Sequence, residues 1–455
     1  MWDSIKPILN ILPEVETPQA KPKLRERLIW TFVCLLIFGF LGIIIPIGIG
    51  QTSQSEYLLN LQLVLGSKIG TLASLGIGPI VLASIFLQLF VGAQIIKIDL
   101  KNPEQRKNFQ SLQKLLALIL CFFEAGVYVL SGFIPANPGL ELFAILQLAF
   151  GGIIIMYLDE VVSKYGIGSG VGLFIAAGVS FTIIWQSFAW VTAPGTGTYI
   201  GLVPQILQGI FSGEIPESAI FPLLFTIIVF LIVVFAESMK IEIPVTFGKI
   251  RGFGTRYPLK FFYVSNIPVI LAAALFANIQ LFGVVLQNFG FPILGHFVNN
   301  QAVDGIAYYL RTPYGVLSTP SHIAISLSSL NIILNIMVFS AAMIISCVMF
   351  GMFWVQVANM DAKSIAQQLQ NIGLQIPGFR RDPRVIEEVL ERYIPYVTIL
   401  GSAAVGLLAV FADLTGALGT GTGILLTVGI LYRFYEELAA EQIFETMPFL
   451  KNFAR

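Results

Sequence analysis

Charge is what this chain has least of. Only 11% of its 455 residues are Asp, Glu, Lys or Arg, 56% are hydrophobic, and the formal net charge is zero. A soluble domain carries roughly a quarter charged residues on average, so a water-soluble globule is excluded. The zero balance also excludes a global field that would gather nucleic acid or acidic substrates. The three cysteines, Cys34, Cys121 and Cys347, lie in separate apolar segments and form no disulfide framework. The two histidines, His296 and His322, are far apart and read as incidental loop residues rather than metal ligands. No lysine follows GIGSG as a phosphate loop would require, and HExxH and GxSxG are missing. Enzymatic activity, a metal and a cofactor are therefore not expected. The mixed residues 1–27 do not read as a cleavable signal. The alternating segments of an outer-membrane barrel are missing as well.

What the chain has instead is long apolar runs, with a mean hydropathy of +0.83. Ten of them approach or exceed the ~20 residues that cross a bilayer as a helix. They lie at about 28–49, 75–97, 113–134, 139–162, 169–191, 218–238, 259–284, 323–356, 393–413 and 418–438. The fold class is an all-α polytopic membrane protein. Ten spans put both termini on one side. With this assignment, 24 of the 26 Lys and Arg residues fall on that side, leaving Lys68 and Arg311 opposite. Such a bias marks the basic side, and with it both termini, as cytoplasmic. Within residues 1–27, Ile5, Ile8, Leu9 and Leu12 have helical spacing and predict an amphipathic segment along the membrane surface. Residues 57–70, YLLNLQLVLGSKIG, are too short and polar to span and predict a re-entrant half-helix.

The Gly- and Pro-rich stretch 193–217 reads as an external connection between a first half, 28–192, and a second half, 218–440, followed by a tail at 441–455. Five spans per half is an odd number, so any repeat must be inverted. Span two begins LGIGPIVLASI and span seven contains NIPVILAAALF; span five begins GIGSGVGLFI and span ten begins GTGTGILLTV. Helix breakers in the second and fifth span of each half are the sequence sign of an inverted repeat with a pathway at its interface. Gly and Pro are also common where membrane helices pack closely, which is the plainer explanation. After each break the residues are aliphatic: Ile77 and Val81, Val171 and Ile175, Ile270, and Leu425 or Leu426. A ring of such side chains would bind no ion and would dewet when narrow. The same spacing also describes ordinary interhelical core.

Ionisable residues within spans are few. Asp159, Glu160, Asp413, Glu436 and Glu437 fall at span ends, where solvent is expected, and Glu124 falls near the middle of span three. Glu124 is open to two readings, a proton-relay carboxylate or a group bonded to a neighbouring helix. A secondary transporter of a small ion-coupled solute, the competing function class, would call for more polar groups at mid-membrane. The basic loops 239–260 and 357–392 carry more Lys and Arg than topology requires. They suit a polyanion such as ribosomal RNA, or anionic lipid.

LGIGPIV, YLDEVVSKYGIGSGVGLFIAAGVS, SNIPVILAAALFANIQLFG, DGIAYYLRTPYG and GTGTGILLTV, in that order, resemble the SecY family of protein-translocon channel subunits, in its archaeal and eukaryotic branch. The resemblance implies ten helices in two inverted five-helix halves around an hourglass pore. It also implies a pore ring of Ile77, Val81, Val171, Ile175, Ile270 and Leu426. The re-entrant segment at about 58–70, with Leu61, Leu63, Leu65 and Lys68, would be a plug. Spans two, three, seven and eight would form a lateral gate with Glu124 and Asn278 as polar members, Leu82 standing where relatives carry a hydroxyl residue. Arg251, Arg380 and Arg381 match ribosome-engaging positions, with Lys249, Arg256 and Arg384 beside them. Implied partners are a single-span SecE/gamma-type subunit, a small beta subunit (Secβ), the ribosome, signal sequences, nascent polypeptides and membrane lipid, all at the cell membrane.

Overall fold

The computed structural model describes residues 13–18, 22–50, 67–92, 103–192, 198–213, 216–247, 254–298, 301–371, 374–375 and 383–446. Each predicted run is occupied by a helix. In the first half these are α1 (Leu24–Leu41), α2 (Gly78–Gly92), α3 (Pro103–Leu130), α4 (Glu141–Tyr165) and α5 (Gly170–Phe188). A short helix, α6 (Leu202–Ser212), lies in the connecting stretch and packs on α5 and on the next helix, α7 (Glu217–Ser238). Strands β1 (Lys240–Phe247) and β2 (Gly254–Lys260) follow, then α8 (Ile267–Asn288), β3 (Phe297–Val298), β4 (Gln301–Ala302) and α9 (Gly305–Tyr309). The chain continues through α10 (Pro320–Ser328), α11 (Leu330–Val357), α12 (Ala362–Asn371), β5 (Leu374–Gln375), α13 (Pro383–Glu391), α14 (Ile394–Leu414) and α15 (Gly421–Thr446).

Seven helices among the described residues are long and apolar enough to cross a membrane. The remaining three predicted runs fall short for identifiable reasons. Helix α1 opens with Arg25, Glu26 and Arg27, the described α2 has 15 residues, and α15 carries Arg433, Glu436 and Glu437 from its middle onward.

Three sequence expectations are corrected. The run at 259–284 begins its helix only at Ile267, because residues 254–260 pair with β1 and Pro268 sits in the first turn, where its missing N–H costs nothing. The run at 323–356 is broken at Ser329, whose extended backbone (φ −104°, ψ 112°) separates α10 from α11. The loop at 239–260 is a hairpin of seven paired residues, with β5 adding at Thr246 and Phe247, so the all-α fold carries a small sheet on its basic side. Of the predicted re-entrant half-helix, Leu61, Leu63 and Leu65 lie outside the described residues. Its last part is turn rather than helix, with the Lys68 carbonyl accepting from the Thr71 hydroxyl at 2.6 Å. Ile5, Ile8, Leu9 and Leu12 also lie outside the described residues.

Helix packing repeats between the halves. In the first half α1 packs on α4 and α5, α2 on α3, α3 on α4, and α4 on α5. In the second, α7 packs on α14 and α15, α8 on α11, α11 on α14, and α14 on α15. Position for position these are the same pairings, and an odd helix count makes the second copy run opposite to the first. The halves meet where α5 packs on α15 and α2 on α8 and α11. The helices next to the breaks thus form the interface.

Outward faces are apolar, as a lipid-facing surface requires: Phe143, Phe150, Phe181, Phe230 and Phe235 are all exposed. Inside, Phe174 on α5 is fully buried and stacks on Phe38 of α1, with centroids 4.5 Å apart. Phe174→Ala is predicted to destabilise the protein by about 3–5 kcal/mol through the cavity it leaves. A lower unfolding midpoint in detergent checks this.

Candidate functional site

The paired breaks have paired geometry. Gly76 (φ 52°) stands three residues before Pro79, and Ser265 (φ 53°) stands three before Pro268. Gly168 (φ 70°) and Gly419 (φ 74°) each stand two residues ahead of the first residue of their helix, Gly170 and Gly421. The left-handed backbone at these positions favours glycine because a Cβ would crowd the neighbouring carbonyl. Gly170 and Gly421 are glycines for a different reason. A Cβ on Gly170 would lie 2.5 Å from the Asp159 Cα, and one on Gly421 would lie 2.4 Å from the Ala409 carbonyl oxygen.

The exposed amides of both helix starts are satisfied alike. Asp159, near the end of α4, accepts from Val171 N at 2.8 Å and from the Gly170 amide. Asp413, near the end of α14, accepts from Gly421 N at 2.6 Å and from the Thr422 amide. Ser169 Oγ accepts from Gly172 N at 3.5 Å, and Thr420 Oγ1 from Gly423 N at 3.1 Å. The sequence places both aspartates near span ends, with that of Asp159 expected in solvent. Asp413 is in fact buried and Asp159 half-buried.

All six aliphatic positions expected to form a ring belong to one apolar cluster shared by both halves. Ile77, Val81, Ile175 and Leu426 are buried within it, and Val171 and Ile270 pack against it half-buried. Val81, Val171 and Ile270 also line a cavity of about 500 Å³ between the halves, with Asp159, Asn266, Arg433 and Glu437 at its walls. Two further residues pin this region. Asn266 donates from Nδ2 to the Leu425 carbonyl at 3.0 Å, tying the start of α8 to α15 beside Leu426. Arg27 on α1 donates to the Gly166 carbonyl at 2.9 Å and pairs with Glu437 at 3.6 Å.

The expected gate residues are less connected. Glu124 is buried on α3, and neither of its carboxylate oxygens has a hydrogen-bond partner among the described residues. Asn278 donates back to Ala274 of its own helix at 2.8 Å and not to Glu124. Leu82 packs in an apolar group with Ala83, Ala117, Leu120 and Met156. On the far side from the basic loops, Asn288 at the end of α8 donates to the Ser131 carbonyl beyond α3 at 2.7 Å, bridging the halves. His296, just before β3, pairs with Asp304, just after β4, at 2.9 Å, and its backbone amide and ring hold the carboxyl below the usual range.

Of the basic loop residues, Lys249, Arg251, Arg380 and Arg381 lie outside the described residues. Arg256 is exposed on β2 and pairs with Glu242 across the hairpin at 2.7 Å, and Arg384 is exposed at the start of α13. A strap missed in the sequence lies on the same side. Glu160 pairs with Lys114 of α3 at 2.6 Å and Lys164 at 2.8 Å, and accepts from Val15 N at 3.1 Å. Tyr157 and Tyr165 bond the carbonyls of Pro13 and Glu16. Residues 13–16 are thereby fastened across the ends of α3 and α4.

Two back-to-front helix bundles that share an apolar cluster at their interface define a polytopic membrane protein architecture. The SecY family profile matches residues 71–435. The protein translocase subunit SecY of Methanocaldococcus jannaschii is 49% identical over 446 residues, covering 97% of each chain. That of Methanococcus vannielii is 47% identical over 453 residues, covering 99% of each. Among solved structures, one described as a protein conducting channel superposes with a TM-score of 0.84 at 48% identity, covering 98% of both chains. Sec61 in the canine ribosome-channel complex superposes with a TM-score of 0.82 at 48% identity over the same share. The chain belongs to the SecY family.

Glu160→Gln is predicted to free the strap, since it removes the charge that holds two lysines and a backbone amide. Cleavage by a protease at residues 13–18 should accelerate several-fold over wild type, read by gel.

Proposed function

We propose that the chain is the protein-conducting channel of a cell membrane, passing unfolded polypeptides between its two halves and releasing hydrophobic segments sideways into lipid. Family membership supports the function. The observation that carries the local mechanism is the single apolar cluster containing Ile77, Val81, Val171, Ile175, Ile270 and Leu426, set where four helices break at the interface of the halves. These six side chains act as a yielding seal. Branched aliphatics hold no ion and grip no particular cargo side chain, and a narrow ring of them excludes water without a plug of charge. The channel conducts and does not catalyse, and any driving energy comes from a partner.

The lateral exit is assigned to the seam of α2 and α3 with α8 and α11, where Glu124 and Asn278 lie. Residues 58–70, including Leu61, Leu63, Leu65 and Lys68, serve as the plug. The chain divides functionally at the connection 193–217. The bias of Lys and Arg supports placing the basic side, with both termini, in the cytoplasm. There Lys249, Arg251, Arg256, Arg380, Arg381 and Arg384 dock a ribosome through its RNA, as the ribosome-bound Sec61 neighbour suggests. A single-span SecE/gamma-type subunit and a small beta subunit complete the assembly.

Replacing Ile77 or Ile175 with glycine opens a path for ions through the resting channel, measured as conductance in planar bilayers; an unchanged seal contradicts the ring. Charge reversal at Arg380 and Arg381 weakens ribosome binding, most at low salt where screening is least, while the purified complex stays intact. Binding equal to wild type at every salt concentration removes the docking assignment.

A further inference from the structure

The two aspartates that cap α5 and α15 have no part in the function proposed above, yet they occupy equivalent places in the two halves. Each lies near the end of the fourth helix of its half and reaches the first turn of the fifth. One of the amides held by Asp159 is that of Val171, itself a ring position. The helix held by Asp413 carries Leu426 five residues beyond its start. We infer that Asp159 and Asp413 are a symmetric pair of positioning residues that set the ring: they hold the starts of the two pore-lining helices and neutralise the positive ends those helices would otherwise turn toward the constriction.

The physical argument has two parts. A helix start away from bulk water must find acceptors for its first amides, and a side-chain carboxylate accepts more strongly than a hydroxyl. Ser169 and Thr420 supply the weaker caps on the next amides, those of Gly172 and Gly423, at 3.5 and 3.1 Å, so the carboxylates are the principal anchors. The second part is electrostatic. A helix N-terminus carries the equivalent of roughly half a positive charge, which attracts anions. Asp159 and Val171 line the same cavity of about 500 Å³, where Arg433 and Glu437 are the other charged groups. Glu437 is paired with Arg27. Removing the Asp159 charge therefore leaves that cavity more positive. Asp413 offsets the positive end of the other helix from the opposite half, where Gly421 has room for no side chain.

The inference rests on the ring assignment, so the test starts from a channel whose ring has been opened. The purified channel complex carrying Ile175→Gly is placed in planar bilayers under a potassium chloride gradient, and its reversal potential is compared with the same complex carrying Asp159→Asn or Asp413→Asn in addition. Loss of either carboxylate is expected to raise the chloride-to-potassium permeability ratio roughly threefold, the scale of one uncompensated helix end. Asp159→Glu and Asp413→Glu, which keep the charge, should restore the starting ratio. A conducting Ile175→Gly channel with an unchanged ratio in both Asn variants overturns the inference and leaves the ring intact. An Ile175→Gly channel that does not conduct overturns the ring, and this inference with it. Where the Asn variants fail to assemble, Ser169→Ala and Thr420→Ala in the same background remove the lesser caps. A shift of the same sign and smaller size supports the inference, and no shift contradicts it.

Discussion

A helix that begins inside a bilayer has nowhere to put its first amides. In water the solvent takes them; in hydrocarbon each one left unpaired costs several kcal/mol. This chain starts its fifth and tenth spanning helices at glycine-rich breaks and gives each start a carboxylate from the preceding helix, Asp159 or Asp413, together with a hydroxyl from Ser169 or Thr420. Much follows from that arrangement. The helix ends can approach the interface of the halves without an unpaired backbone, and the glycines are there to admit the carboxylates at close range. The aliphatic residues just beyond then meet in one cluster.

Polar groups near this cluster hold helices to one another. Asn266 bonds the Leu425 carbonyl, Arg27 bonds Gly166, and Asn288 reaches Ser131 across the halves. The six aliphatic positions themselves carry no polar side chain. A site built to bind a solute would reverse this, with polar groups pointing inward and apolar ones behind them. Anchored helix ends around a chemically indifferent constriction suit a cargo whose sequence is not fixed in advance. The exposed aromatic and aliphatic outer faces suit the lipid into which hydrophobic segments would leave.

Much of this was legible in the sequence. Run length and charge bias gave the helices, and the matched Gly and Pro positions gave the repeat, because both depend on period and composition alone. The two aspartates were visible but misread. Counting residues from the membrane edge placed them in solvent, whereas the helices they serve start inside the protein. Aligning YLDEVVSKYGIGSG with FADLTGALGTGTG, an Asp ahead of a glycine-alternating start in each, would have found them. The hairpin was also present as a period of two in KIEIPVTF, hidden by its position in a charged loop. The break at Ser329 was marked only by the small polar cluster Ser326, Ser328, Ser329 and Asn331 inside an otherwise apolar run. Glu124 and Asn278 do not bond to one another, and no sequence pattern reports that.

Disulfide cross-linking to a cargo chain arrested halfway through the membrane tests most directly whether the six aliphatic side chains surround the path. Single cysteines are placed at Ile77, Val81, Val171, Ile175, Ile270 and Leu426 in a chain whose native Cys34, Cys121 and Cys347 are replaced by serine, with lipid-facing Phe143 and Phe235 as controls. Cross-links from all six positions to one short stretch of cargo, and none from the controls, are predicted. Cargo that links to the outward-facing controls as readily as to the six, or to none of the six, would contradict a path through this constriction.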